Sequence, residues 1–290
     1  MSPTDLAPSH PLAIAVAPNG GRRTRADHPA IPLSSAELAR TAAECAEAGA
    51  SMIHVHVRDA DGRHLLDAEA YRAAIDAIRV EVGDRLMVQI TTESLGIYHP
   101  SEQAAVLKSV RPEAASLALR EFVPDESAET AFAGLLAWMA REDVLPQIIL
   151  YDASEAMRLE NLIERGIVPW KDIPVLYVLG RYAVGQTSEP ADLLPFLARG
   201  MPRFNHWMVC AFGKREAACV TAGALFGGHA RVGFENNLFL PDGSMADSNA
   251  ALVETVASSA SALGLRISSA DALRHAQSAL LQGLVSPTAY

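Results

Sequence analysis

The chain alternates, eight times over, between a short run of β-branched and other apolar residues and a longer alanine- and leucine-rich stretch of helical period. No other feature constrains the fold so tightly. Strands joined through helices run parallel, and a parallel sheet needs helices over its faces. Strands are expected at Leu12–Ala17, Met52–Val57, Arg85–Thr91, Ala114–Leu119, Gln147–Tyr151, Val175–Leu179, Trp207–Ala211 and Ala230–Gly233. Helices are expected over 34–48, 67–80, 101–109, 127–140, 153–165, 190–199, 214–226 and 247–264. Ser34, with Glu37 three residues on, reads as a capping box at one helix start. Eight such units in about 250 residues are the count and size of a (β/α)8 TIM barrel. The competing arrangement is a doubly wound open sheet with an irregular second half. The barrel is preferred because residues with chemistry recur at the C-terminal ends of many predicted strands, whereas an open sheet gathers them at one switch point. The chain reads as a single domain over 1–290, with a barrel core over about 12–268 and a C-terminal extension over about 269–290.

Composition narrows the partners. Twenty-four basic against 34 acidic side chains give a formal charge of −10, which disfavours nucleic acid and anionic membranes. A small anion in a local cationic pocket remains compatible with that charge. Cys45, Cys210 and Cys219 are odd in number and far apart, so neither a disulfide framework nor a cysteine-rich zinc site is expected, and a reducing cytoplasm fits. The apolar run Leu12–Ala17 has no basic segment before it, and Ala217–Ala230 is too short and glycine-rich to span a bilayer. No G-x-G-x-x-G, Walker-type or G-x-S-x-G motif occurs.

The sharpest chemical signal is Ile53-His54-Val55-His56-Val57-Arg58-Asp59. On a strand, His54 and His56 share one face while Ile53, Val55 and Val57 take the other. Helices cover the outer face of a parallel barrel, so the imidazoles point into its mouth. There they can share one divalent ion; the competing reading is a hydrogen-bonded pair of core histidines. Glu235, after the eighth predicted strand, is the candidate third ligand, its alternative being a solvated loop acid. In a closed barrel only strand one separates strand eight from strand two, so a long carboxylate reaches. Two histidines, a glutamate and an open position make a Lewis-acid site. Strand one ends in Asn19-Gly20-Gly21-Arg22-Arg23-Thr24-Arg25, whose arginines either clamp a carboxylate or pair with acids such as Asp27. Thr91 and Ser94, at and after the third strand, and Ser116 on the fourth offer hydroxyls. Arg231 on the eighth strand faces the barrel and requires an anionic partner, either a ligand or a neighbouring acid.

In the order glycine-arginine loop, H-V-H-V-R-D and G-F-E-N-N, the chain resembles the β-keto acid cleavage enzymes, whose type member cleaves 3-keto-5-aminohexanoate. The resemblance runs from about Leu12 to Ser268. Its anchors are Thr24–Asp27, Ala48–Asp59, Gln89–Thr92, Val178–Gly180, Gly227–Asn237 and Ser248–Val253. It implies a TIM barrel, zinc on His54, His56 and Glu235, and conversion of a β-keto acid plus acetyl-CoA into acetoacetate and a shortened acyl-CoA. It also implies that Thr91, Ser94 and Ser116 stand at substrate-contacting places, that Arg231 and Asn236 are catalytic positions, and that the protein is a homotetramer. Three residues depart from the family pattern. Arg22 replaces the acid that greets an amino group, so an anionic or polar substrate tail is expected rather than an amino-bearing one. Ala118 replaces an asparagine and leaves an apolar wall. Asn236 replaces the aspartate thought to act as base, and an amide takes no proton at neutral pH. Two alternatives stand beside this reading: a zinc hydrolase of amidohydrolase character, and a non-catalytic barrel that binds metal or carboxylate.

Overall fold

In the computed structural model, which describes residues 10–282, eight parallel strands close on themselves. They are β1 Ile14–Val16, β2 Met52–Val55, β3 Met87–Thr91, β4 Ala114–Ala118, β5 Leu145–Leu150, β6 Val175–Leu179, β7 Trp207–Ala211 and β8 His229–Val232. β1 pairs with β8 on one side and β2 on the other, which closes the expected TIM barrel and puts β8 and β2 on either side of β1.

Helices connect the strands: α1 Ser35–Glu47, α2 Ala68–Val82, α3 Pro100–Val110, α4 Glu129–Arg141, α5 Ala153–Glu164, α6 Glu216–Leu225 and α7 Asn249–Ala262. The capping box at α1 is present: the Glu37 backbone N–H donates to the Ser34 hydroxyl, and the Glu37 carboxylate accepts from the Ser34 backbone. Leu38, Ala42 and Cys45 then recur at helical spacing and face the sheet. The helix expected over 190–199 forms only in part, as a 3-10 turn at Pro190–Leu193 and one α-turn at Leu194–Leu197. Pro190 and Pro195 have no N–H to donate, and Ala198 is extended. No described helix is long and apolar enough to cross a membrane.

Alternation along each strand builds two layers. Ile53, Val55, Val88, Ile90, Leu117 and Val209 point outward under the helices. Ala15, Met52, Met87, Leu176 and Met208 fill the barrel. The residues expected as a C-terminal extension include a further helix, α8 Ala270–Leu281, and residues 283–290 lie outside the described part. Its Leu273 joins the barrel-filling cluster, and Gln277 hydrogen-bonds the ring of His206 at 3.0 Å. Arg274 donates to the carbonyls of Asp84 and Leu86. Packed this way, α8 closes the N-terminal end of the barrel and leaves the C-terminal end for chemistry.

Candidate metal centre and active site

The barrel part of β2 stops at Val55, one residue earlier than the position of His56. The chain then turns into a two-stranded hairpin of Val57–Arg58 with His64–Leu65. His54 therefore sits on the last turn of the strand and His56 on the rim. Their rings stand 5.0 Å apart at 76°. Glu235 approaches from the loop after β8: its Oε2 is 3.2 Å from His56 Nε2 and 3.8 Å from His54 Nε2. One ligand atom from each of the three lies within 4.8 Å of the others.

Both ring nitrogens of His56 and Oε2 of Glu235 are buried without a hydrogen-bond partner. His56 Nε2 and Glu235 Oε2 are thus aimed at each other across 3.2 Å. Leaving such groups unsatisfied costs about 1–3 kcal/mol each. Two imidazoles and a carboxylate aimed at one small space suit zinc, which binds nitrogen and oxygen donors of this kind. Protonation agrees. Burial, reinforced by Arg231, pushes His54 down to about 3, so its ring is neutral and able to donate a lone pair. Burial opposes ionisation of Glu235, but the Arg231 guanidinium outweighs it and holds the carboxyl well below the usual range.

The strand register supplies the support. His54 lies opposite Gln89, and its Nδ1 donates to the Gln89 amide oxygen at 2.8 Å, which leaves Nε2 free to face the cluster. Gln89 in turn donates to the Gln147 side chain at 3.2 Å. Replacing Gln89 with leucine should weaken zinc binding about 10- to 100-fold with the fold intact. Competition against a chromogenic chelator measures this, and unchanged affinity would free Gln89 of the role.

Three loops interlock around Glu235. The buried Arg58 donates to the carbonyls of Asn19, Gly20, Arg23 and Gly62, which pins the glycine-arginine loop. Gly20 in that loop packs so closely on Glu235 that a Cβ would fall 2.6 Å from its Cγ. Arg23 donates to the carbonyls of Phe234 and Asn236. Buried Glu216, whose pKa burial drives well up, accepts from the Gly233 backbone N–H and the Asn237 amide.

A pocket opens in front of the three candidate ligands. Thr91, Ser116 and Arg231 line it, and Ala118 forms part of an apolar wall with Ile149 and Val178. The anionic partner required by Arg231 is Glu235, whose Oε1 accepts from Nη2 at 3.1 Å. Nε and Nη1 of Arg231 have no partner. The Ser116 hydroxyl is likewise buried and unpartnered, while Thr91 Oγ1 accepts from the Glu93 backbone.

The other named positions sit apart. Arg22 is exposed and lines an adjoining outer cavity. Ser94 lies outside both cavities and accepts from the Gly96 backbone N–H within its own turn. Asn236 is fully buried with an unpartnered amide and does not line the main cavity.

Glu93 and Arg181 went unrecognised in the sequence, yet they line both cavities. Burial, aided by the Glu235 charge, raises the Glu93 carboxyl above its usual range against the pull of His56 and Arg181. Each stands two residues past the end of its strand, β3 or β6, so the rule that barrel chemistry gathers at C-terminal strand ends could have found them. An amidohydrolase-type site draws further histidines from later strands. Here His206 and His229 lie at the opposite end of the barrel, His206 against α8, while His64 of the hairpin stands 5.6 Å from the His56 ring with its Nε2 on the Glu93 carbonyl and outside the three-residue cluster.

A sequence model of the beta-keto acid cleavage enzymes (BKACE) matches residues 11–277. The 3-keto-5-aminohexanoate cleavage enzyme of Fusobacterium nucleatum is 31% identical over 273 residues, covering 91% of this chain and 96% of its own. The 3-oxoadipate:acetyl-CoA acetyltransferase of Cupriavidus necator is 26% identical over 258 residues, covering 86% and 88%. Among solved structures, ObcA in binary complex with oxaloacetate matches with a TM-score of 0.65 at 17% identity, over 86% of this chain and 67% of its own, a likeness of fold. On the family match and the 31% relative, the chain belongs to the beta-keto acid cleavage enzyme family.

Proposed function

We propose that this protein is a zinc-dependent β-keto acid cleavage enzyme, joining the two-carbon acid end of a β-keto acid to the acetyl group of acetyl-CoA. The products are acetoacetate and the acyl-CoA of the remaining chain. The observation that carries the proposal is the convergence of His54, His56 and Glu235, with three buried polar atoms of His56 and Glu235 that make no hydrogen bond among the described residues. When bound there, zinc supplies a Lewis acid that polarises a carbonyl and stabilises developing enolate charge.

The chain's own residues do the rest. Arg231 keeps two donor nitrogens free toward the cavity, suited to a carboxylate or a developing oxyanion. Ser116 has its hydroxyl free to donate, and Thr91 retains its proton because its oxygen is the acceptor for Glu93 N–H. Those two hydroxyls fix the acid end. Ala118, Ile149 and Val178 exclude water along one wall. Asn236 offers an amide and no base, so proton transfer belongs to another group. The proposal includes a homotetramer, by family resemblance, and a cytoplasmic location, with which three buried free cysteines agree. Acetoacetate release from a panel of β-keto acids, with and without acetyl-CoA, tests the reaction. Release that requires acetyl-CoA supports it, and hydrolysis without acetyl-CoA contradicts it.

The substrate tail is proposed to be anionic or polar. Arg22 and Arg23 line the outer cavity, and a cationic tail meets repulsion there. Arg22→Glu should raise the preference for an amino-bearing over an anionic keto acid about tenfold, read as the ratio of kcat/KM values. An unchanged ranking would remove Arg22 from the specificity argument.

A further inference from the structure

We propose that Arg181 is the specificity-determining residue for the far end of the substrate, gripping the distal carboxylate of a β-keto dicarboxylate. The assignment rests on the reading of this cavity as the keto-acid site and adds the residue that selects the tail. Arg181 lines both the cavity in front of the metal ligands and the outer cavity beside it. Its guanidinium makes no hydrogen bond among the described residues. The nearest carboxylate, Glu93 Oε1, stands 3.7 Å from Nη2, beyond hydrogen-bond reach, and the side chain is only 13% exposed.

A guanidinium whose five N–H groups make no hydrogen bond, and which is paired with Glu93 only at 3.7 Å, is open to a second anion. Of the other arginines at this rim, Arg231 has two nitrogens free but stands against Glu235 at the candidate-ligand end, Arg23 and Arg58 are bound to carbonyls, and Arg22 does not line the inner cavity. Arg231 donates to Glu235 and Cys210, Arg23 to two carbonyls, and Arg58 to four. Arg22 lines the outer cavity alone. Arg181 is also packed on aromatic rings, with Cζ 5.3 Å from the centroid of Phe212 and 5.7 Å from that of Tyr182. Such stacking limits the fork's motion while its N–H edge stays available, the condition for bidentate carboxylate binding. Ala118, Ile149 and Val178, which wall the same cavity, suit the methylene carbons between the two acid groups.

The test compares 3-oxoadipate with 3-oxohexanoate, which has the same six carbons and no second carboxylate. Wild type should favour 3-oxoadipate. Arg181→Gln should lower the kcat/KM ratio of the two about 10- to 100-fold, the range for a lost hydrogen-bonded charge. The dissociation constant for 3-oxoadipate, measured calorimetrically without acetyl-CoA, should weaken in parallel. Arg181→Lys, which keeps the charge and loses the fork, should recover part of the ratio. If Arg181 merely supports Glu93, the glutamine variant lowers both substrates equally and the ratio stays, which overturns the assignment. A wild type that turns over 3-oxohexanoate as well as 3-oxoadipate overturns it too while leaving the proposed reaction intact. A protein that converts no β-keto acid with acetyl-CoA overturns both.

Discussion

With His56 replaced by alanine, the protein should lose its metal and its turnover and keep its fold. His56 is one of two imidazoles in the cluster, and neither of its ring nitrogens makes a hydrogen bond among the described residues. Zinc affinity should therefore fall by more than about 100-fold, beyond the range seen when a partner behind a ligand is removed. Acetoacetate release should fall by about 1000-fold or more, since the Lewis acid goes with the ligand. The metal-free barrel should respond differently. Truncating a buried ring leaves a cavity, but it also relieves two unsatisfied nitrogens that cost about 1–3 kcal/mol each. The melting temperature of the metal-free variant should thus stay close to that of metal-free wild type. Calorimetry of both forms, with and without zinc, separates the terms. A variant that keeps full activity without metal would end the proposed chemistry.

Gly233→Ala should damage both the fold and the site. Gly233 ends β8 at φ +134°, a conformation that L side chains rarely adopt. An added Cβ would fall 2.4 Å from the Ala17 carbonyl oxygen. That carbonyl has no freedom to retreat: it accepts the Glu235 N–H at 3.0 Å, and the Ala17 N–H donates to Val232 at 2.8 Å. Strain plus backbone overlap should cost about 3 kcal/mol or more, lowering Tm by roughly 5 °C or more. Because Glu235 is two residues on, zinc affinity should fall as well. Gly243→Ala is the control. It also has positive φ, at +88°, yet its Cβ meets nothing within 4 Å, so only the backbone term applies. Equal melting temperatures for the two variants would mean that the Ala17 contact is unimportant.

How far the sequence could be read follows from where each signal is written. The eight strands are legible because both faces of a parallel strand are buried, which writes apolar runs such as Val175–Leu179 in consecutive residues. His54 and His56 are legible because a spacing of two places both rings on one face. Glu235 became a ligand candidate only through barrel closure, since β8 and β2 are neighbours only by way of β1. Arg181 and Glu93 resemble ordinary loop charges along the chain, and only the folded rim brings them 3.7 Å apart beside the candidate metal ligands. The role of α8 was hidden for a similar reason. Its Leu273 and Gln277 read as one amphipathic face, and nothing local says that this face closes the barrel floor. The turn at 190–197 shows the reverse case, where an apolar stretch looked helical and the two prolines decided the outcome.

A crystal of the zinc-loaded protein, measured on both sides of the zinc absorption edge, puts the proposed site to its most direct trial. A single anomalous peak is expected between β2 and β8, about 2.0–2.2 Å from one nitrogen each of His54 and His56 and from a carboxylate oxygen of Glu235. Full occupancy elsewhere, or no peak there with the three side chains turned away from one another, would contradict it.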